Sequence, residues 1–259
     1  MLHAQPAIEA ELGSGALTPW AERAYLELRD KVADEAFPCT FGTVALRKHE
    51  ILFAFLESTD PASMVDGLVQ TLTEYATFIE ILPVVRASMQ PLAVLMPPQP
   101  EWRSIEDYYH QSWRLLAEVH RRDPAPWPSR IPADPDSPGW SFCFHGTAFF
   151  INFKTPHHRR RRSRRMQHSY LWLVQARDGF DIVAGDTVQG RNARRIIRQK
   201  LAAYDAIPMY PELGHYGDPA NREWKQYFVP EANQPVTAVC PFRSAVAAVQ
   251  DDPRVERDA

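Results

Sequence analysis

Two hydrophobic periods take turns along this chain. Ala21, Ala24, Tyr25, Leu28 and Val32 fall at helical spacing, which predicts an amphipathic helix over 21–33 that Phe37-Pro38-Cys39 ends. Residues 41–46 and 51–56 are β-rich, and Arg47-Lys48-His49-Glu50 lies between them, so the pattern predicts a hairpin with a polar tip. Asp60 followed by Pro61 is a helix start, with Asp60 as N-cap; Val65, Leu68, Leu72, Ala76 and Ile79 carry the apolar stripe and Pro83 closes it. Residues 91–96 read as a short buried strand stopped by Pro97-Pro98-Gln99-Pro100. Ser104 with Asp107 has capping-box spacing, and Ile105, Tyr108, Tyr109, Leu116 and Val119 mark the helix behind it.

The proline-rich stretch 123–139 reads as an ordered surface loop. Residues 140–144 and 148–153 then predict an antiparallel pair turning at His145-Gly146. A further strand is expected over 170–175, and a helix over 190–204 with Ile197, Leu201 and Tyr204 on its buried side. From Asp205 to Asn233 the chain is irregular and aromatic, which points to a binding wall, because a long loop is costly to order. The strands after the proline-rich loop need the earlier helices as a cover. The expected architecture is therefore one α/β (α+β) domain spanning 1–259, with a mixed, largely antiparallel sheet flanked by helices and flexible ends at 1–20 and 243–259.

Composition narrows the function classes. A chain of 259 residues with 45% hydrophobic content can bury a core without staples. The three cysteines, Cys39, Cys143 and Cys240, are too few and scattered for a disulfide framework, which favours a reducing cytosol. No apolar run is long enough to span a membrane, and the first twenty residues have no signal-peptide pattern. The net charge of -3 argues against whole-molecule affinity for nucleic acid, while the basic charge concentrates in six arginines among positions 159–165.

Familiar signatures are absent or incomplete. Gly185 to Gly190 has the glycine spacing of a phosphate loop without its Lys and Ser/Thr, and reads as a loop before a helix. Covalent haem attachment and zinc-protease motifs are missing, as are flavin and nicotinamide fingerprints. The run Lys154-Thr155-Pro156-His157-His158 and the arginines behind it admit three readings: a solvated basic loop, a phosphate or nucleic-acid patch, or a haem site. In the last, an imidazole would ligate iron and nearby arginines would pair with the propionates. A thiolate from Cys39 or Cys240 is a rival ligand, although cysteine is more often simply buried.

Several separated stretches resemble the YqcI/YcgG family: Phe37-Pro38-Cys39-Thr40-Phe41-Gly42; Phe150-Ile151-Asn152 through His158 to Ser163-Arg164-Arg165; Tyr204-Asp205 to Leu213-Gly214-His215-Tyr216-Gly217-Asp218; Asn221-Arg222-Glu223-Trp224-Lys225-Gln226-Tyr227; and Cys240-Pro241-Phe242. Relatives often have Asn where this chain has Arg165. The resemblance covers about residues 30–242 and implies a b-type haem and oxygenase activity, with hydroxylation of a guanidine nitrogen among the reactions of the family.

On that resemblance His158 is the expected axial metal ligand and His157 the alternative. Arg161, Arg164 and Arg165 would hold the cofactor's propionates; Trp224 and Tyr227, with Tyr204 and Tyr216, would wall its pocket, with ordinary core as the alternative for these aromatics. Glu223 and Asp218 are the carboxylates expected to grip a guanidinium or amine, with a loop cap as the plainer role of Asp218. The implied partners are an amino-acid-like substrate, dioxygen or peroxide, and an external electron donor. A haem sensor or carrier without turnover is the alternative.

Overall fold

The computed structural model describes residues 1–184, 186–215, 218–234, 237 and 239–250. In chain order its elements are β1 (His3–Ala4), α1 (Gln5–Glu11), α2 (Pro19–Ala33), α3 (Thr40–Arg47), β2 (Leu52–Phe55), α4 (Pro61–Glu80), α5 (Val84–Ser88) and β3 (Leu92–Met96). There follow α6 (Ile105–Arg121), β4 (Phe142–Phe144), β5 (Thr147–Lys154), β6 (Tyr170–Ala176), α7 (Arg177–Ala184), α8 (Val188–Tyr204), α9 (Trp224–Tyr227) and α10 (Pro241–Gln250). The strands form one mixed sheet in the order β1-β2-β3-β6-β5-β4, in which only the β2/β3 pair is parallel. This is the α/β class that the alternating periods predict.

Side chains alternate across a strand, so each strand feeds two cores. Leu92, Val94 and Met96 of β3, Ile151 and Phe153 of β5, and Trp172 and Val174 of β6 face a large cluster with α4, α6 and α10. Phe53, Ala93, Leu95 and Leu171 point the other way, onto Tyr25, Leu28 and Val32 of α2 and Ala45 and Leu46 of α3. The second face of β5 and β6 carries Phe150, Asn152, Lys154, Leu173 and Gln175. Together with α3 and α8 these residues enclose a cavity instead of a packed core.

Local chemistry explains the helix starts. Asp60 accepts from the Ser63 amide at 2.9 Å, Ser104 and Asp107 make the reciprocal capping box, and Thr187 accepts from the Gly190 amide at 3.0 Å. The glycine-spaced segment is thus a cap and first turn of α8, although Gly185 itself lies outside the described residues. His145 and Gly146 both take the left-handed conformation that a two-residue hairpin requires.

Three expectations change. Residues 41–46 lie in helix α3, not in a strand, because the Cys39 side chain caps them and the helix buries Ala45 and Leu46. Tertiary packing overrides the β-branched composition there, and the polar tip becomes the helix end, with His49 at positive φ. The N-terminal twenty residues are anchored rather than loose: β1 extends the sheet edge and Ile8 is wholly buried. Tail residues 243–250 continue α10, which packs Phe242, Ala245 and Val246 against the core, whereas 251–259 lie outside the described residues. Two short helices, α5 and α7, had no clear period in the sequence. They cross so closely that a Cβ at Gly179 would sit 2.1 Å from the Val84 carbonyl oxygen.

The two faces of β5 should respond differently to truncation. Ile151→Ala, in the packed core, should cost about 2–5 kcal/mol in urea unfolding. Asn152→Ala, one residue on and facing the cavity, should cost less than about 1 kcal/mol, because the Asn152 Oδ1 has no hydrogen-bond partner to lose among the described residues.

Candidate functional site

The cavity holds about 290 Å³. Its floor is the second face of β5 and β6. Phe37, Pro38, Cys39, Phe41 and Gly42 close one side, Ile197 and Leu201 of α8 form the roof, and Leu213, Gly214 and His215 form the rim. Gly214 is needed at that rim, since a Cβ there would meet the Asn221 side chain at 2.3 Å. Segment 205–233 supplies part of the wall through residues such as Asp205, Leu213, Glu223 and Val229, and none of its described aromatics lines the cavity.

Charge is the second property of the site. Among the described residues, Lys154, Arg161, Arg164, Arg177, Arg194 and Arg198 line the cavity with two carboxylates, Asp205 and Glu223. Lys154 is buried and donates to the Ser163 carbonyl at 2.7 Å; desolvation, reinforced by the neighbouring Arg164 charge, pulls its amine down to about 7. Arg164 reaches the carbonyls of Tyr227 and Gln226 at 3.4 Å, and burial lowers it to about 10. Asp205 is spent on the loop, accepting from the Ser163 amide at 2.8 Å and hydroxyl at 2.9 Å.

Glu223 is almost fully buried on the cavity wall. Its Oε1 accepts from the Ser141 hydroxyl at 2.6 Å, and its Oε2 lies 3.3 Å from Arg177. The carboxylate expected to grip a guanidinium thus already faces one inside the fold. Asp218 does not line the cavity; it accepts from the Ala220 amide at 2.9 Å and sits 3.6 Å from His215, which is the loop-cap role.

The histidines are placed otherwise than expected. His158 is wholly buried, its Nε2 lying 3.0 Å from the Val229 carbonyl and its Nδ1 3.0 Å from the Thr155 hydroxyl. A carbonyl can only accept, so Nε2 carries the proton and Nδ1 receives the Thr155 hydroxyl. In this arrangement neither nitrogen has a lone pair to offer a metal. His157 stacks at a tilt on Tyr108, with centroids 5.4 Å apart, and is likewise off the cavity wall.

The arginines divide by position. Arg161 and Arg164 line the cavity, while Arg165 does not; Arg159, Arg160 and Arg162 are exposed. Arg161 is itself spent on Pro230, Pro208 and Asn233, stitching the loop to the C-terminal segment.

The expected aromatic wall faces the core. Tyr227 stacks on Trp113 with centroids 6.1 Å apart and donates to the Phe149 carbonyl at 2.8 Å. Trp224 meets Trp113 edge-on, Tyr204 packs edge-on against Phe37, and Tyr216 lies outside the described residues.

Among the described residues, the thiol, imidazole and thioether groups on the cavity wall that could ligate iron are those of Cys39, His215 and Met89. Cys39 is the N-cap of α3, and its Sγ receives the Gly42 amide at 3.3 Å. Cys240 is fully buried away from the cavity wall. Set against a porphyrin, the residues fit: apolar side chains on the side and roof (Phe37, Phe41, Ile197 and Leu201), a cysteine at a helix start and a ring of cations for two carboxylates. Asn152, Arg177 and Arg198 went unnoticed in the sequence. Asn152 and Lys154 left one signal, polar residues alternating with core residues along a strand.

Burial holds the His158 imidazole neutral, lowering it to about 3. The unfolded chain takes up its proton near pH 6.5 and the folded chain does not, so this stability is complete above that pH and is lost as pH falls below it. Between pH 7.5 and pH 5 the loss should be about 2 kcal/mol. Urea titrations at both pH values should show that increment in the natural chain and not in His158→Gln.

Among the described residues no helix is long and apolar enough to cross a membrane. No solved structure matches the chain. A protein of Streptomyces lavendulae, provisionally named N(omega)-hydroxy-L-arginine synthase DcsA, is 35% identical over 227 residues, covering 87% of this chain and 85% of its own. The uncharacterized proteins YcgG and YqcI of Bacillus subtilis are 37% and 33% identical, each across 87% of this chain and 89% of theirs. The model of the YqcI/YcgG family matches residues 28–243, so the chain belongs to the YqcI/YcgG family.

Proposed function

We propose that this protein is an enzyme that N-hydroxylates a guanidino nitrogen of an arginine-like amino acid, with haem b held in the cavity between the sheet, α3 and α8. The observation that carries the reading is a cysteine at a helix start on the wall of a cation-ringed cavity. The name given to the Streptomyces relative supports the choice of reaction.

Cys39 is the residue to hold the iron, with Arg164 and Arg198 available to the propionates. Haem, when bound, supplies dioxygen activation and oxygen transfer. The remaining work falls to this chain's own groups. Glu223 presents the carboxylate that a guanidinium needs, and the Arg177 contact orients it. Asn152 offers an acceptor without a partner among the described residues, suited to an N–H of the substrate. The surplus of cations receives the substrate's carboxylate. Lys154, poised near neutrality, can release and regain a proton at Nζ during turnover.

Adding haemin to the purified protein should produce a Soret band, and carbon monoxide on the reduced form should give the red-shifted band of thiolate ligation. Cys39→Ser should lose that shift and His158→Gln should keep it. A colourless protein, or ligation lost with His158 and retained without Cys39, contradicts the assignment.

Incubation with arginine, dioxygen and a reductant should yield a product heavier by one oxygen atom. Glu223→Gln should raise the arginine Kd about tenfold or more, since it removes the buried opposite charge. Haem binding with no oxidised product from arginine or related amines would favour a sensor or carrier.

A further inference from the structure

A second groove opens on the outer side of α8. Asp186, Arg191, Arg194, Arg195, Arg198 and His215 line it. The arginines recur at helical spacing, so they share one side of the helix. Asp186 pairs with Arg191 at 2.7 Å and lies 3.6 Å from Arg194, and among the described residues it is the one carboxylate lining the groove. Arg195 reaches only as far as neutral Gln199, at 3.3 Å, and Arg198 donates to the Leu213 carbonyl at 2.8 Å. Among the described lining residues, four guanidinium groups stand against one carboxylate, with Arg191 and Arg195 exposed, on a chain whose net charge is -3.

The groove also adjoins the cavity. Arg194, Arg198 and His215 stand on the walls of both, whereas Arg191 and Arg195 belong to the groove alone. Only one helix and one rim segment therefore separate the outer surface from the proposed haem site.

We infer that the arginine face of α8 is the docking surface for an acidic one-electron carrier protein, of the iron–sulfur or flavin class. The inference rests on the oxygenase reading. In that reaction one oxygen atom enters the N–H bond and the other leaves as water, so each turnover consumes two electrons and two protons. A one-electron carrier must visit twice, which favours fast, weak, electrostatically steered encounters over tight burial. Exposed arginines beside the redox cavity suit such encounters. The groove is shallow, and Arg191 and Arg195 are exposed, so it is not built to enclose a small anion. A nucleic acid would need a longer basic track, and the net charge opposes it.

The test is titration of the full chain, as purified, with an oxidised acidic two-iron ferredoxin, followed by chemical-shift perturbation or surface plasmon resonance. Binding should weaken steeply with added salt in the natural protein. Arg191→Glu/Arg195→Glu should weaken it about tenfold or more, while Arg103→Glu/Arg114→Glu, reversals of exposed arginines on other segments, should leave it unchanged. Basic cytochrome c should not bind.

The inference is overturned if the α8 double variant binds ferredoxin like the natural chain, or if ferredoxin binding is absent or indifferent to salt. It is also overturned if the variant instead loses haemin uptake, which would assign the groove to propionates, or if duplex DNA competes for the same arginines. Failure of the haem reading is separate, because it appears as a missing Soret band in the natural protein whatever the ferredoxin result.

Discussion

The site depends on the register in which β5 pairs with β6. Phe153 sits opposite Trp172 and Asn152 opposite Leu173, so one residue of slippage would exchange the core face for the cavity face. The apolar members, Ile151, Phe153, Trp172 and Val174, are locked into the cluster with α6. Phe150, Asn152, Lys154 and Gln175 are thereby held on the opposite face, where α3 and α8 leave space. The cavity is a consequence of a well-packed other side.

A second constraint closes the site. The loop after β5 carries six arginines among seven positions, yet it is not a free basic loop. The Thr155 amide donates to the Arg164 carbonyl and its carbonyl accepts from the Met166 amide, His158 ties the turn to Val229, Arg161 reaches Pro230, and Asp205 holds Ser163. These bonds fasten the loop to the segment carrying Glu223 and the rim. His158 thus contributes by fixing architecture, and its neutrality is the cost of full burial.

Burying several cations beside one another is unfavourable unless anions join them. Lys154 and Arg164 both lose basicity, chiefly through burial and secondarily through neighbouring cations, and among the described residues Asp205 and Glu223 are the carboxylates on the cavity wall. A cofactor with two carboxylates and a substrate bearing another would relieve the imbalance. The same surplus continues onto the outer side of α8, where solvent screens it and a partner's acidic surface can meet it.

Much of the fold was legible in the sequence because it rests on local chemistry. Asp60, Ser104 with Asp107, and the His145-Gly146 turn announce elements through short-range hydrogen bonds and backbone conformation, and the two hydrophobic periods announce helices and strands. Residue types likewise marked Glu223 and the arginine loop as chemically notable. What each would face was not legible. Residues 41–46 became helix α3 through a cysteine cap and packing on α2, and that helix start is what places Cys39 on the cavity wall. The adjacent histidines had the right chemistry for iron, but Thr155 and Val229, the latter 71 positions away, occupy both nitrogens of His158. Local sequence sets propensity and side-chain chemistry, whereas which lone pair is free is decided by neighbours that only the folded chain brings together.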